Sequence, residues 1–219
     1  MTKNGNDEEE ENAIGAVRTI AALTALAVAL AAAPAFAVDH KFNTAVDGGV
    51  FWFFAYDSHT SRIRVNPGPC VSADLFQIAD FSWSRNMLFE GNYLFAQNHG
   101  YAYDLNNANV ARFLLTMHQA SFDIGYVFEG RRLHPYLAAG PGVGFLFYNP
   151  DKRGPTRQET DALLNLSPGV DYTIVEFAHG SVNRIDIGFR ARYFYIWQNK
   201  IVDTALNGLG LQARLNLRW

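Results

Sequence analysis

From Leu209 to Trp219 the chain alternates without a break. Leu209, Leu211, Ala213, Leu215, Leu217 and Trp219 are apolar, and Gly210, Gln212, Arg214, Asn216 and Arg218 between them are small or polar. Neighbouring side chains of a strand point to opposite faces, so this segment carries one fully apolar face and one polar, basic face. A strand buried inside a soluble α/β domain would read as a continuous apolar run instead. The alternation therefore calls for a strand with two unlike environments, one on each side.

The preceding segment repeats the arrangement. Ile185, Ile187, Phe189, Ala191, Tyr193, Tyr195 and Trp197 face one way, and Arg184, Asp186, Gly188, Arg190 and Arg192 the other. Over residues 133–148, Leu137, Ala139, Val143, Phe145 and Phe147 alternate with His134, Tyr136, Gly140, Gly142 and Gly144, whose glycines leave room for bulky groups opposite. Over residues 164–174, Leu164, Leu166, Val170, Tyr172 and Ile174 alternate with Asn165, Ser167, Asp171 and Thr173. Near the start, Val46, Val50, Trp52, Phe54 and Tyr56 alternate with Asp47, Gly49, Phe51 and Phe53. Residues 71–83, 87–97 and 110–128 complete eight segments. The alternation slips near His118, which predicts a bulge or a misplaced boundary there.

Short connections fall near residues 84–86, 129–132 and 178–181, and longer ones near 57–69, 98–109, 149–161 and 198–206. Outer-membrane barrels have short periplasmic turns and longer outer loops, and these two classes interleave as an even strand number requires. The expected fold is all-β: a single eight-stranded antiparallel transmembrane up-and-down β-barrel with four longer outer loops. Closure removes the exposed strand edges that would otherwise aggregate. Only 18% of residues are charged, below the roughly 25% of soluble domains, while mean hydropathy stays near zero. A barrel tolerates this because it needs alternation rather than helical apolar runs of about 20 residues.

Residues 1–37 read as a signal peptide, leaving a barrel domain over 38–219. Residues 19–33 form an uncharged Ala- and Leu-rich run, Arg18 stands before it, and Ala35-Phe36-Ala37 supplies small residues for cleavage after Ala37. Asp7 and Glu8 to Glu11 lie where a basic start is usual, as an upstream start-site misassignment or an unusual leader would explain. Of 18 bases and 21 acids, removal takes Lys3 and Arg18 with those five acids, so 16 of each sign remain. A formally neutral domain has no net field to recruit nucleic acid. Cys70 is the only cysteine, so no intramolecular disulfide forms, and no cysteine follows the leader as a lipoprotein would require.

Three features resemble the small outer-membrane barrels of the OmpA/OmpX type, the opacity-protein-like β-barrel family. They are the leader ending Ala35-Phe36-Ala37, the proline-aromatic-glycine segment from His134-Pro135-Tyr136 to Gly140-Pro141-Gly142, and the terminal Leu215-Asn216-Leu217-Arg218-Trp219. The resemblance implies an integral protein of a Gram-negative outer membrane, in contact with its lipid and lipopolysaccharide. It also implies that Leu215, Leu217 and Trp219 form a carboxy-terminal signal read by the barrel-assembly machinery. It speaks to fold and export route far more than to activity.

The parity of each strand sends Asp47, Asp74, Asp80, Glu90, Asp123, Asp171 and Asp186 into the lumen, with Arg184, Arg190, Arg192, Arg214 and Arg218. Side chains nearly fill an eight-stranded interior, and buried charges there must pair, so an ion-pair network that plugs the barrel is expected. A gated ion path through the same residues is the alternative. Phe51, Phe53, Leu94, Leu146, Phe194 and Ile196 point inward nearer the outer loops, as an apolar cup for a small apolar molecule or as a surface on which the loops pack.

Lipid A deacylases share this architecture and carry His-x-Ser-Asn on the penultimate strand. The matching stretch here is Arg190-Ala191-Arg192-Tyr193-Phe194-Tyr195, and the one His-x-Ser, His179-Gly180-Ser181, falls in a periplasmic turn without the Asn. A nucleophile needs its base in reach at the substrate's depth, so no enzymatic activity is expected. His40, His59, His99, His118, His134 and His179 lack metal-ligand spacing, and neither cofactor nor metal is expected. Trp52, Trp83, Trp197 and Trp219 fall near strand ends, as interfacial girdles require. Two functions stand: a monomeric structural or surface-interaction barrel with an unknown ligand at its outer loops, and a narrow porin-like channel for small apolar or ionic solutes.

Overall fold

The computed structural model describes residues 42–55, 62–79, 84–103, 110–128, 130–150, 156–178, 181–199 and 204–219. The chain divides into Met1–His40 and Lys41–Trp219. The expected leader, with His40, His59, Asp80, Trp83 and His179, lies outside the described residues.

The strands are β1 (Phe42–Ala55), β2 (Arg62–Val65), β3 (Gly68–Ala79), β4 (Met87–Tyr103), β5 (Val110–Val127), β6 (Leu133–Pro150), β7 (Arg157–Glu176), β8 (Arg184–Asn199) and β9 (Thr204–Arg218). Every pairing is antiparallel, each strand from β3 onward pairs with the next, and β9 and β3 both pair with β1, closing the wall. Following the ladders once round from Phe42, through Gln77, Phe89, Ile124, Ala139, Leu166, Tyr193 and Leu209, ends on Trp52, ten residues up β1. With eight strand positions this stagger tilts the strands by about 40° and leaves an interior that side chains can fill.

Nine strands occupy eight positions because β2 and β3 lie end to end against β4. Val65 faces Gly100 and Cys70 faces Ala96, five residues against four, so one extra residue sits at the break. Pro67 has no N–H to give a ladder, which ends β2 there. Among the described residues β2 pairs only with β4, and the β1–β3 ladder stops at Phe51 and Gly68. A short seam between β1 and β2 therefore runs from that point toward the loop end. At its foot the buried Asn98 amide donates to Phe51 O at 2.7 Å and to Asn66 O at 2.8 Å, occupying carbonyls on both sides.

Several strands run past their sequence-based ends. Residues 62–65, 98–103, 157–161 and 204–206, expected in long outer connections, are ladder-paired strand. They lack a continuous apolar outward stripe because they rise beyond the lipid belt, where the outer face needs no apolar surface. The slip expected near His118 is not a bulge: the β4–β5 and β5–β6 registers run through it unbroken. Phe113, Leu115 and Met117 face inward while Thr116 and His118 face outward, so the polarity inverts while the geometry does not. Irregularities lie instead at Thr173/Val175 and Ile196/Asn199. In the turn before β4, Asn86 takes φ 60°, a left-handed conformation that Asn tolerates well.

On the outer face, Leu75, Phe122, Leu137, Leu164, Phe189 and Leu215 are among the exposed large apolar side chains. A soluble protein would not tolerate such a belt. Trp52 and Trp197 both face outward near its upper limit, and Trp219 lies just past the end of β9.

Candidate functional site

The lumen is stacked in layers. Nearest the termini, Asp186 is fully buried and meets Arg184 Nε at 2.9 Å and Arg218 Nε at 2.8 Å. Thr173 Oγ1 donates to the same carboxylate at 2.9 Å, and His134 Nε2 lies 3.1 Å from that hydroxyl.

Above it three acids and three arginines form a knot. Arg190 has no exposed surface and touches Glu90 at 2.5 Å, Asp74 at 3.0 Å and Asp47 at 3.4 Å, while its Nε donates to Tyr136 Oη at 2.9 Å. Arg214 reaches Asp74 at 3.1 Å, Glu90 at 3.2 Å, Asp47 at 3.8 Å and Asp171 at 3.9 Å. Arg192 lies 3.4 Å from Asp74 and donates to Asn92 Oδ1 at 3.1 Å. Both Arg190 and Arg214 also lie over the Tyr136 ring, at 5.3 and 5.4 Å, a favourable position for a cation against a π face. Low dielectric makes each contact strong and each desolvation costly, so such a cluster persists only when its members compensate one another.

Asp123 stands apart from the arginines. It accepts from Asn92 Nδ2 at 3.0 Å and Asn165 Nδ2 at 2.5 Å, and Asn92 links it by hydrogen bonds to Arg192 of the knot. Gly140, between Asp123 and Asn165 in the wall, lets those two side chains meet across it.

The six apolar residues expected as a cup all belong to one closed cluster. Phe51, Leu94 and Phe194 have no exposed surface, Leu146 and Ile196 are 1% exposed and Phe53 3%. Phe51 and Phe194 stack at 5.5 Å, and Phe53 leans on both, at 5.1 Å from Phe51 and 5.9 Å from Phe194. Met117, Leu163 and Leu206 complete the packing. An open cup would leave these side chains accessible; here they form a stopper. Leu215 faces outward and is 48% exposed, and Leu217 and Trp219 are partly buried.

Tyr136, Asn92, Gln212 and Ser72 belong to the network and carry no charge to mark them. Gln212 donates to Ser72 at 3.2 Å, and Ser72 donates to Asp47 at 3.0 Å. Their inward parity between known lumen charges is the signal that finds them. Among the polar pairs on the outer wall, Tyr93 Oη and His118 Nδ1 are 2.5 Å apart, with Phe95 and Phe147 rings beside the imidazole at 5.2 and 5.7 Å.

Residues 23–218 match the family model of the outer membrane protein β-barrel domain. The chain belongs to that family. It is an integral protein of a Gram-negative outer membrane, so the terminal end of the barrel is periplasmic and the loop end faces outward. Among solved structures it resembles Neisserial surface protein A from Neisseria, at 19% identity over 81% of this chain and 97% of that one, with a TM-score of 0.53. It also resembles the outer membrane protein OprG from Pseudomonas aeruginosa, at 10% identity over 82% and 97%, with a TM-score of 0.50. At those identities the likeness is one of fold. Among curated protein sequences nothing matches. In this outer-membrane barrel, then, the interior carries an ion-pair layer below and an apolar layer above.

Proposed function

We propose that this protein is a non-conducting, non-enzymatic outer-membrane scaffold whose work is done on its surface. The observation that carries the reading is the doubled closure of the lumen: a fully buried three-acid, three-arginine knot beneath a fully buried aromatic-aliphatic stopper. A conducting path would have to break several charge-assisted contacts and also wet an apolar layer, and the two penalties add because the layers are in series. The porin-like alternative needs both layers displaced together.

The partners follow from the same reading. Outer-membrane lipid and lipopolysaccharide cover the belt, the assembly machinery reads Leu215, Leu217 and Trp219 during insertion, and an unknown ligand meets the outer loops of a monomeric barrel. The leader, residues 1–37, is removed on export.

The test is planar-bilayer conductance of refolded residues 38–219, with heat-modifiable gel mobility as the check on folding. Silent bilayers with a folded barrel support the scaffold. Discrete steps that change size in Arg190→Ala would overturn it in favour of a narrow channel.

A further inference from the structure

Above the lipid belt the outer wall gains cationic and aromatic groups along β2, β4 and β5. Along β4 the outward positions run Phe89, Gly91, Tyr93 and Phe95, then Gln97, His99 and Tyr101; along β5 they run Phe122 and Ala120, then His118, Thr116, Leu114 and Arg112. At the top of this lane the ladders place Arg64 of β2 opposite Tyr101 of β4, and Tyr101 opposite Arg112 of β5. Both arginines are exposed, and Arg112 lies over the Tyr101 ring at 5.9 Å. The row is thus a guanidinium, a phenol and a guanidinium on three adjacent strands, with the two cations about 10 Å apart at their backbones.

Among the described residues, no group of opposite sign stands beside them on this outer face. The described outward positions of β4, β5 and β6 above the belt hold no carboxylate, whereas the acids of this level, Glu159 and Asp161 on β7, lie on inward parity. Two cations held in one row repel each other, and an anion bridging them relieves that repulsion.

The height of the row selects the anion. Thr116 pairs with Phe147, the last apolar outward residue of β6, and Arg112 lies four residues farther up β5, about 10 Å above Thr116 along the tilted axis. That is outside the hydrocarbon, in the headgroup zone of the outer leaflet. We propose that Arg64, Tyr101 and Arg112 bind a phosphorylated sugar headgroup of outer-leaflet lipopolysaccharide, the guanidiniums clasping the phosphate and Tyr101 offering a flat face to the sugar. The acyl chains then descend over Phe95 and His118. This deepens the partner assignment above and rests on the surface-scaffold reading for its orientation alone; it is independent of whether the lumen conducts.

The experiment is a titration of the refolded mature protein with phosphorylated lipid A, read by native mass spectrometry. Dephosphorylated lipid A and phosphatidylglycerol serve as the other two probes. The expected result is preferential retention of phosphorylated lipid A, lost by roughly 10- to 100-fold in R64Q/R112Q, with Y101L weakening it less. Arg64 and Arg112 are exposed and Tyr101 is partly buried, and heat-modifiable mobility shows that the variants remain folded. Equal retention of dephosphorylated lipid A, or unchanged retention by R64Q/R112Q, would overturn the site. Equal competition by phosphatidylglycerol would overturn lipopolysaccharide as its occupant. A change in conductance has no bearing on any of these outcomes, so failure here and failure of the plugged-lumen reading are told apart.

Discussion

Removing one arginine from the lumen knot gives the sharpest measure of what the charges do. In the wild-type protein Asp47, Asp74 and Glu90 face Arg190, Arg192 and Arg214, three of each sign, with Asp171 at the margin, 3.9 Å from Arg214. In Arg190→Ala, three carboxylates share two cations, and one buried negative charge is left without compensation. Deleting one partner of a buried ion pair costs about 3–5 kcal/mol. Arg214 already lies within 3.2 Å of Asp74 and Glu90, so each of those carboxylates keeps a cation and the lower end applies. A loss of about 3 kcal/mol lowers the folded-to-unfolded ratio about a hundredfold. The assay is equilibrium urea unfolding in lipid vesicles, followed by tryptophan fluorescence, beside the double variant Arg190→Met with Glu90→Gln. That double variant removes one charge of each sign and should regain at least half of the loss, because buried pairs replaced by neutral groups of similar volume are often tolerated. If Arg190→Ala unfolds within about 1 kcal/mol of wild type, the knot does not support the barrel and the argument built on it is wrong.

Two further substitutions probe the layers around the knot. Asn98→Ala removes two donated hydrogen bonds at the foot of the β1–β2 seam; a loss of about 1–3 kcal/mol is expected. Hydrogen exchange should accelerate at residues 52–55 while the β4–β5 amides stay protected; uniform acceleration would refute a local role. Gly208→Ala places a methyl against the buried Phe194 and Phe51 rings, for a cost of about 1–3 kcal/mol from overpacking. Adding Phe51→Leu should recover part of that stability in the same unfolding assay, and no recovery would mean the stopper is not packed as described.

The strand parity was readable because lipid and lumen impose opposite demands on adjacent residues. In β8, Arg190 and Arg192 alternate with Phe189, Ala191 and Tyr193, and the register could hardly be otherwise. Which acid meets which arginine was not readable. Arg190 and Glu90 are a hundred residues apart, and their meeting depends on a stagger of ten that only the closed ladder sets. The upper lumen misled for a different reason. Phe113, Leu115 and Met117 are apolar and inward, so an alternation rule that equates apolar with lipid-facing sees a slip where the strand is regular. The break at Pro67 was visible as a proline but not as a strand end, because β2 is only four residues long and its Val65 packs on the lumen cluster rather than toward lipid.

A closed barrel has no edge, and this one keeps two short ones. Among the described residues, beyond Phe51 β1 pairs with β9 alone, and β2 pairs with β4 alone. Mechanically, the wall is a hoop with a notch cut in its rim. Stress applied at the outer loops concentrates at the notch tip, which is where Asn98 ties Phe51 to Asn66. A tear starting at the rim meets this one side chain first and the continuous β1–β3 ladder only after it. Among the described residues, resistance to such a tear therefore begins at one amide.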